Sequence, residues 1–351
     1  MTKKLVLRLS SLGDVILATS ILEVHSFLKE SHVDWVVAQE FSEVLCGHPK
    51  IHRVIQFNRS QGLRAWVRFC YQLWLENYLE IFDLHLSLRT RLMKLLFAYW
   101  SWVEQTPKPK WKTISKQYRK LFFYYLLKRF CPLRWRPLSW VSRFTLLAGG
   151  SGTEHPNLKH LVRPFSEVQS LFFSKGEICD LSRTKFLCLM PSSRWKGKMW
   201  PVDFYFKLVQ SLSQKFALIP IILGQKSDLA SVSLLNHFEV AGLSCCSALG
   251  VMSLAQTATV LHYSIGYLGS DTGLAHLAEA VGVPARIIFG PTTPDMGFGP
   301  WMKESRSIEL SLWCRPCGKD GRYCFRIKQK YLCLKGLLPD QVVSKYFESL
   351  E

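Results

Sequence analysis

At 351 residues the chain has room for about two domains, each able to bury a core of its own. Its apolar content of 48% is that of a globular protein and excludes a disordered chain, and no uncharged run reaches the length of a membrane-crossing helix. The net charge of +19 points to anionic partners, and eleven cysteines are an odd number for a paired disulfide framework. Scattered cysteines such as Cys46, Cys70, Cys131 and Cys188 are expected to be small apolar residues in a reducing compartment. The chain opens on a strand pattern, not on the charged–apolar–small pattern of a secretory signal, so the cytoplasm is the expected location.

In chain order the segments alternate between strand and helix patterns, which predicts an α/β fold. Residues 4–9 read as a short buried strand. Ser10 to Asp14 read as a turn, and 15–28 as a helix with Ile16, Ala18, Ile21 and Leu22 available for packing. This polar loop carries one glycine, Gly13, so it matches neither the G-x-G-x-x-G fingerprint nor a P-loop. Taken alone, Asp14 suits a plain helix cap at least as well as a catalytic task. Strands are expected at 33–38, 53–57 and 81–86, the last ending near His85.

Between residues 89 and 143 the chain holds fourteen Lys and Arg against one acid, Glu104, mixed with aromatics such as Trp100, Trp102, Phe122, Phe130 and Trp135. This mixture suits an anionic membrane surface, where Trp and Tyr sit at headgroup level and each nearby cation contributes about 1 kcal/mol. It also suits single-stranded nucleic acid, or a solvated basic face over an aromatic core. No RNP or helix-turn-helix pattern accompanies it, so no nucleic-acid partner is expected.

Residues 144–148 read as a strand, 149–157 as a loop and 161–176 as a helix with a connector. Strands at 186–190 and 218–223 open a second domain. The expected division is 1–180, which includes the basic segment, then 181–338. A tail, 339–351, reads as a helix that by analogy packs back on the first domain. Nothing in the sequence sets an oligomeric state.

The stretch 267–301 is the most informative. An apolar run ends in Gly269-Ser270-Asp271-Thr272-Gly273, and an amphipathic helix follows with Leu274, Leu277, Ala278 and Val281 on one face. Gly282-Val283-Pro284 stops it. A strand at 286–289 then runs into a second polar loop, Gly290-Pro291-Thr292-Thr293-Pro294. Polar loops at the carboxyl ends of parallel strands are where open α/β sheets bind ligands. Gly273 admits close backbone approach, and the free N–H groups of the helix start favour an anion such as a diphosphate. Asp271 and Thr272 also suit simple capping.

RLSSLGDVILATSIL at 8–22 and SDTGLAHLAEAVGVP with FGPTTP at 270–294 together resemble the two signatures of glycosyltransferase family 9, the ADP-heptose:lipopolysaccharide heptosyltransferases. Between them, PSSRWKGKMWP at 191–201 is similar to the family's loop in which a Lys precedes a Trp-Pro pair. The resemblance implies a GT-B fold: two Rossmann-like domains with parallel sheets facing a central cleft, the nucleotide sugar held mainly by the second. It implies an inverting transfer of heptose from an ADP-sugar to the lipopolysaccharide inner core, by a protein peripheral on the cytoplasmic face of the inner membrane. Another nucleotide sugar, or a non-catalytic binder of anionic lipid or nucleic acid, are the competing readings; intact Asp14 and Lys198 favour an enzyme.

By the same resemblance Asp14 is the general base. Lys198, Ser192, Ser193, Thr272, Gly273 and Leu274 reach the donor's diphosphate. Asp271 contacts sugar or orders the loop, and His276 faces the site unless it is structural. Ser11, Gly13, Arg64, Arg68 and Arg89 contact the acceptor, the first two arginines from a basic loop, and arginine forks match its phosphates and carboxylates. The family's acidic ribose contact has no clean counterpart; Gln225 and the offset Asp228 stand nearest. No cofactor is required. Cys314, Cys317, Cys324 and Cys333 lie at short spacings among cations, and either bind structural zinc or remain free thiols.

Overall fold

The computed structural model describes residues 2–174, 177–178, 184–318 and 320–347. They fall into two compact units: 1–116 with 140–160, and 117–139 with 161–351. The boundary expected near residue 180 falls on 179–183, outside the described residues.

Unit 1 contains β1 (Thr2–Leu7), α1 (Leu12–Ala18), α2 (His25–Leu28), β2 (Ser31–Ala38), β3 (Arg53–Phe57), α3 (Leu63–Leu75), β4 (Glu80–Asp83), α4 (Leu88–Val103) and β5 (Lys110–Thr113). The sheet is parallel, in the order β3-β2-β1-β4-β5. Both faces are covered, so β1 and β2 are buried along most of their length. Leu5, Leu7 and Ile81 pack with Trp66 and Cys70 of α3 and Met93 and Phe97 of α4. The expected helix at 15–28 is broken: α1 passes through a 3₁₀ turn at Thr19–Glu23, and Val24 adopts extended backbone before α2. The expected strand at 144–148 is instead helical, lying largely within α6 (Trp140–Leu147). Its buried Val141, Phe144, Thr145 and Ala148 repeat at helical spacing, which a short apolar run does not reveal by composition.

Unit 2 receives α5 (Tyr118–Leu127) from the chain between β5 and α6. The basic segment 89–143 is therefore divided, with α4 and β5 in unit 1 and 117–139 in unit 2. The region expected to hold a helix and connector at 161–176 contains α7 (Ser166–Gln169) and the short β6 (Phe173–Ser174). There follow β7 (Glu177–Ile178), β8 (Phe186–Met190), α8 (Val202–Phe216), β9 (Ile219–Ile222), α9 (Leu229–Val240), β10 (Cys246–Ser247), α10 (Leu254–Tyr263), β11 (Tyr267–Ser270), α11 (Gly273–Ala280), β12 (Ala285–Ile288), β13 (Arg306–Ile308), α12 (Leu332–Lys335) and α13 (Pro339–Tyr346). Among the described residues the strand order is β13-β12-β11-β8-β9-β10-β6-β7, parallel except where β6 pairs with β10 and β7.

Leu187, Leu189, Ile222, Leu268 and Ile288 meet Trp200, Tyr205 and Leu208 in one core. The tail helix α13, expected against the first domain, belongs to unit 2: Val342 and Phe347 join this core, and α13 packs on α8. Arg286 fixes it further by donating to the Tyr346 carbonyl at 3.0 Å.

Candidate functional site

In unit 1, β1 delivers Arg8 to the carboxyl edge of the sheet, where α1 begins. Ser11 is the N-cap and Asp14 the third helical residue, and the Asp14 carboxylate does take part in capping, from the third helical position of a capping box and not from the N-cap itself. Asp14 Oδ2 accepts from the Ser11 backbone N–H at 3.1 Å and hydroxyl at 2.8 Å. Asp14 Oδ1 pairs with Arg8 Nη2 at 2.8 Å. Arg8 is buried, donates from Nη1 to the Leu84 carbonyl and lies 5.7 Å from the Phe144 ring centre. Burial pushes the Asp14 carboxyl up, but the Arg8 charge and the Ser11 hydrogen bonds outweigh it, so the group sits below its ordinary value. Asp14 is thus ionised at neutral pH. Nearby, burial and the Arg8 charge lower His85 to about 4, leaving a neutral imidazole.

The expected acceptor residues divide. Gly13 and Ser11 share the Asp14 loop. Arg64 and Arg68, expected on a loop, stand one turn apart on α3 and are both exposed. Arg68 lines a cavity of about 500 Å³ with Gln39, Gln56, Asn58, Gln61 and Gln72. Arg89 is held at the start of α4, donating to the Arg59 carbonyl at 3.0 Å beneath the Phe57 ring. The amides of the cavity had no signal in the sequence, because four separate segments supply them.

In unit 2, β8, β11 and β12 bring three loops to one sheet edge. Trp200 is buried and donates to the Leu337 carbonyl at 3.0 Å, anchoring the loop that carries Lys198. Lys198 Nζ pairs with Asp271 Oδ2 at 2.7 Å, and Thr292 donates to the same oxygen at 3.0 Å. Thr272 is the N-cap of α11, its hydroxyl 3.2 Å from that of Tyr267. Lys198, Asp271, Thr272, Gly273 and Leu274 are thereby gathered, with Thr292 added. A cation beside the positive end of a helix is an arrangement suited to an anion, here with the Asp271 carboxylate as the present partner of Lys198. Asp271 serves as loop organiser and partner of Lys198. His276 lies one turn on, buried and stacked on Trp301 with centroids 5.8 Å apart. Glu279 holds that segment by accepting from the Trp301 and Met302 N–H groups at 2.9 and 2.8 Å, and burial raises its carboxyl to about 7.

Other expected donor contacts are spent on the fold. Ser192 is buried, and its Oγ accepts from the Ser231 N–H at 3.1 Å, tying its loop to α9. Ser193, half-buried beside it, accepts weakly from Trp195 N–H at 3.4 Å. The Asp228 carboxylate turns back to accept from Gln225 N–H at 2.8 Å, across a turn in which Gly224 has φ of +142°. Gln225 itself is exposed.

Two features had little sequence signal. Arg315, buried, fans out to the carbonyls of Phe289, Gly290, Thr292 and Leu310 and to Glu309, fixing the second polar loop. Tyr124 and Arg136, from the inserted segment, reach Thr293 and Asp295 of the same loop. Among the described residues no group of three or more His, Cys, Asp or Glu is disposed to hold a metal. Burial, first among the causes, raises the Cys317 thiol to about 12 and the Cys333 thiol to about 11. Cys70, Cys131 and Cys188 are buried as expected, and Cys46 is exposed.

A model of glycosyltransferase family 9 (heptosyltransferase) matches residues 147–324, half of the chain. The chain belongs to glycosyltransferase family 9. It is 25% identical to lipopolysaccharide heptosyltransferase 1 of Pseudomonas aeruginosa, over 97% of this chain and 96% of that one. Among solved structures it is similar to a family 9 glycosyl transferase from Veillonella parvula, with 18% identity, a TM-score of 0.72 and coverage of 99% and 97%. It is also similar to the Escherichia coli heptosyltransferase WaaC with ADP-2-deoxy-2-fluoro heptose, with 18% identity, a TM-score of 0.62 and coverage of 88% and 94%. As a family 9 member it is a glycosyltransferase of the GT-B type, built from two Rossmann-like α/β units. No described helix is long and apolar enough to cross a membrane.

Proposed function

We propose that this family 9 enzyme transfers heptose from ADP-heptose to the inner core of lipopolysaccharide, with inversion, as a peripheral protein on the cytoplasmic face of the inner membrane. The observation that carries the donor half is the Lys198–Asp271–Thr292 cluster at the start of α11. The ADP-sugar found with WaaC and the lipopolysaccharide named for the Pseudomonas relative supply the substrates of this reading.

The acceptor hydroxyl attacks the anomeric carbon from the face opposite ADP. The carbon–oxygen bond to the β-phosphate breaks as the new glycosidic bond forms, and the electron pair leaves with ADP. Asp14 takes the hydroxyl proton. Its depressed carboxyl makes it a weak base, which positioning compensates, because geometry is the larger part of the barrier reduction. Lys198 and the N–H groups of Gly273 and Leu274 meet the charge that develops on the diphosphate. Arg68 and the amides around it receive the phosphorylated sugars of the acceptor.

The competing donor is some other nucleotide sugar; Asp228, whose carboxylate accepts from Gln225 N–H at 2.8 Å, does not discriminate between them, because ADP, UDP and GDP all carry ribose. Thermal-shift titration separates the two. Binding to the native state raises the melting temperature. ADP and ADP-heptose should raise it at concentrations where UDP and GDP do not; the reverse order would overturn the adenine-nucleotide donor.

A further inference from the structure

We infer that the outward face of residues 118–138 is a docking surface for an anionic lipid bilayer, and that its inward face couples this contact to the donor-site loop at 292–296. The inference rests on the membrane-peripheral heptosyl-transfer reading above. Along α5 the exposed Tyr118, Phe122, Phe123 and Leu126 share one side, and the exposed Phe130 and Leu133 follow in the next turns of the chain. Leu133 is 81% and Phe130 71% exposed, values far from those of side chains that cover a core. Arg119, Arg129 and Arg134 are exposed among them, and no acid occurs between 117 and 139. A patch of large apolar side chains marks a binding surface, and cations interleaved with aromatics match phosphate headgroups above acyl chains.

The opposite side of the same segment is fixed. Tyr124 is buried, with its hydroxyl 2.7 Å from that of Thr293 and 3.3 Å from Asp295 Oδ2. Arg136 Nη1 pairs with Asp295 Oδ2 at 2.5 Å, and Tyr124 and Cys131 cluster with Met296. The neighbouring Thr292 bonds Asp271, the partner of Lys198. A bilayer that orders 118–138 therefore orders the loop that completes the anion site, and its contact is felt as tighter donor binding.

The test uses the full chain with phosphatidylglycerol–phosphatidylcholine vesicles and with phosphatidylcholine alone, reading flotation and ADP affinity. Wild type should float only with the anionic vesicles, less at high salt, and bind ADP at least about fivefold more tightly with them present. Arg129→Gln with Arg134→Gln should weaken partition by roughly 25-fold, and Phe122→Glu with Leu133→Glu should abolish it. Arg136→Gln should float normally yet lose the vesicle effect on ADP. Flotation unchanged in both surface variants would overturn the docking surface. An ADP affinity indifferent to vesicles in the wild type, or a vesicle effect surviving in the Arg136 variant, would overturn the coupling. Failure of ADP to bind in any condition would overturn the donor reading and with it the coupling, while flotation would still decide the docking surface.

Discussion

Replacing Asp14 by Asn tests the proposed base, and the structure sets what else the change does. The carboxylate accepts two bonds from Ser11 and one from Arg8. An Asn oxygen keeps the Ser11 bonds, but its amide then faces a guanidinium that is 7% exposed. Removing one partner of a fully buried pair costs about 3–5 kcal/mol. Asp14 is 21% exposed, so screening reduces the expected loss to about 1–3 kcal/mol, a fall of a few degrees in melting temperature. If Asp14 takes the acceptor proton, turnover drops by ~10²–10⁴ below that of wild type, well beyond any change in folded fraction at a permissive temperature. ADP affinity stays the same, because the proposed diphosphate contacts lie in unit 2. A companion variant, Arg8→Met, removes the charge that holds the carboxyl down. Burial is then less opposed, so the Asp14 carboxyl rises and the acid limb of the kcat/KM profile moves to higher pH. Steady-state kinetics, ADP calorimetry and thermal melts on the three proteins suffice. Turnover of the folded Asn variant within about tenfold of wild type would refute the base assignment.

Lys198→Met should weaken ADP binding by roughly 10- to 100-fold, the worth of a charge-assisted contact, as calorimetry would show; unaltered affinity would remove Lys198 from the donor site. Arg68→Ala should raise KM for the acceptor about tenfold or more while leaving ADP affinity unchanged, and an effect confined to kcat would contradict the cavity's assignment. Glu279 gives a pH signature. Its carboxyl is raised from 4.5 to about 7, so between these values the folded state holds a proton that the unfolded state has released. Stability therefore falls as pH rises through that window, by up to about 3 kcal/mol. Glu279→Gln keeps an oxygen for the Trp301 and Met302 N–H groups and should flatten that fall; parallel unfolding profiles of the two proteins between pH 5 and 8 would show the argument wrong.

The fold was legible where strands were buried on both faces: β8 is an unbroken apolar run, and β1, β2 and β12 end in apolar stretches (Leu5–Leu7, Trp35–Ala38, Ile287–Ile288) that run into polar loops. It was least legible at 144–148, where an apolar run of helical spacing resembled a strand, and at β5, whose Lys-Trp-Lys-Thr sequence carries little hydrophobic signal. The site's motif residues were readable because each lies in a local loop: Lys198 before Trp-Pro, Asp271 to Leu274 at a helix start. What the sequence concealed was pairing across distance. Arg8 meets Asp14 because the strand ends beside the helix. Arg315 secures a loop more than twenty residues earlier, and Tyr124 and Arg136 reach a loop more than 150 residues later. Ser192 and Asp228 show the converse: a residue type suited to a ligand is satisfied by its own chain when a neighbouring helix presents a partner.

The most direct measurement is transfer itself: purified protein, ADP-heptose and a heptose-deficient lipopolysaccharide inner-core acceptor, with ADP release and the mass of the product followed together. The account predicts stoichiometric ADP and acceptor gaining one heptose, attached with the anomeric configuration opposite to that of the donor. Transfer from UDP- or GDP-sugars with none from ADP-heptose, or a product retaining the donor configuration, would contradict it.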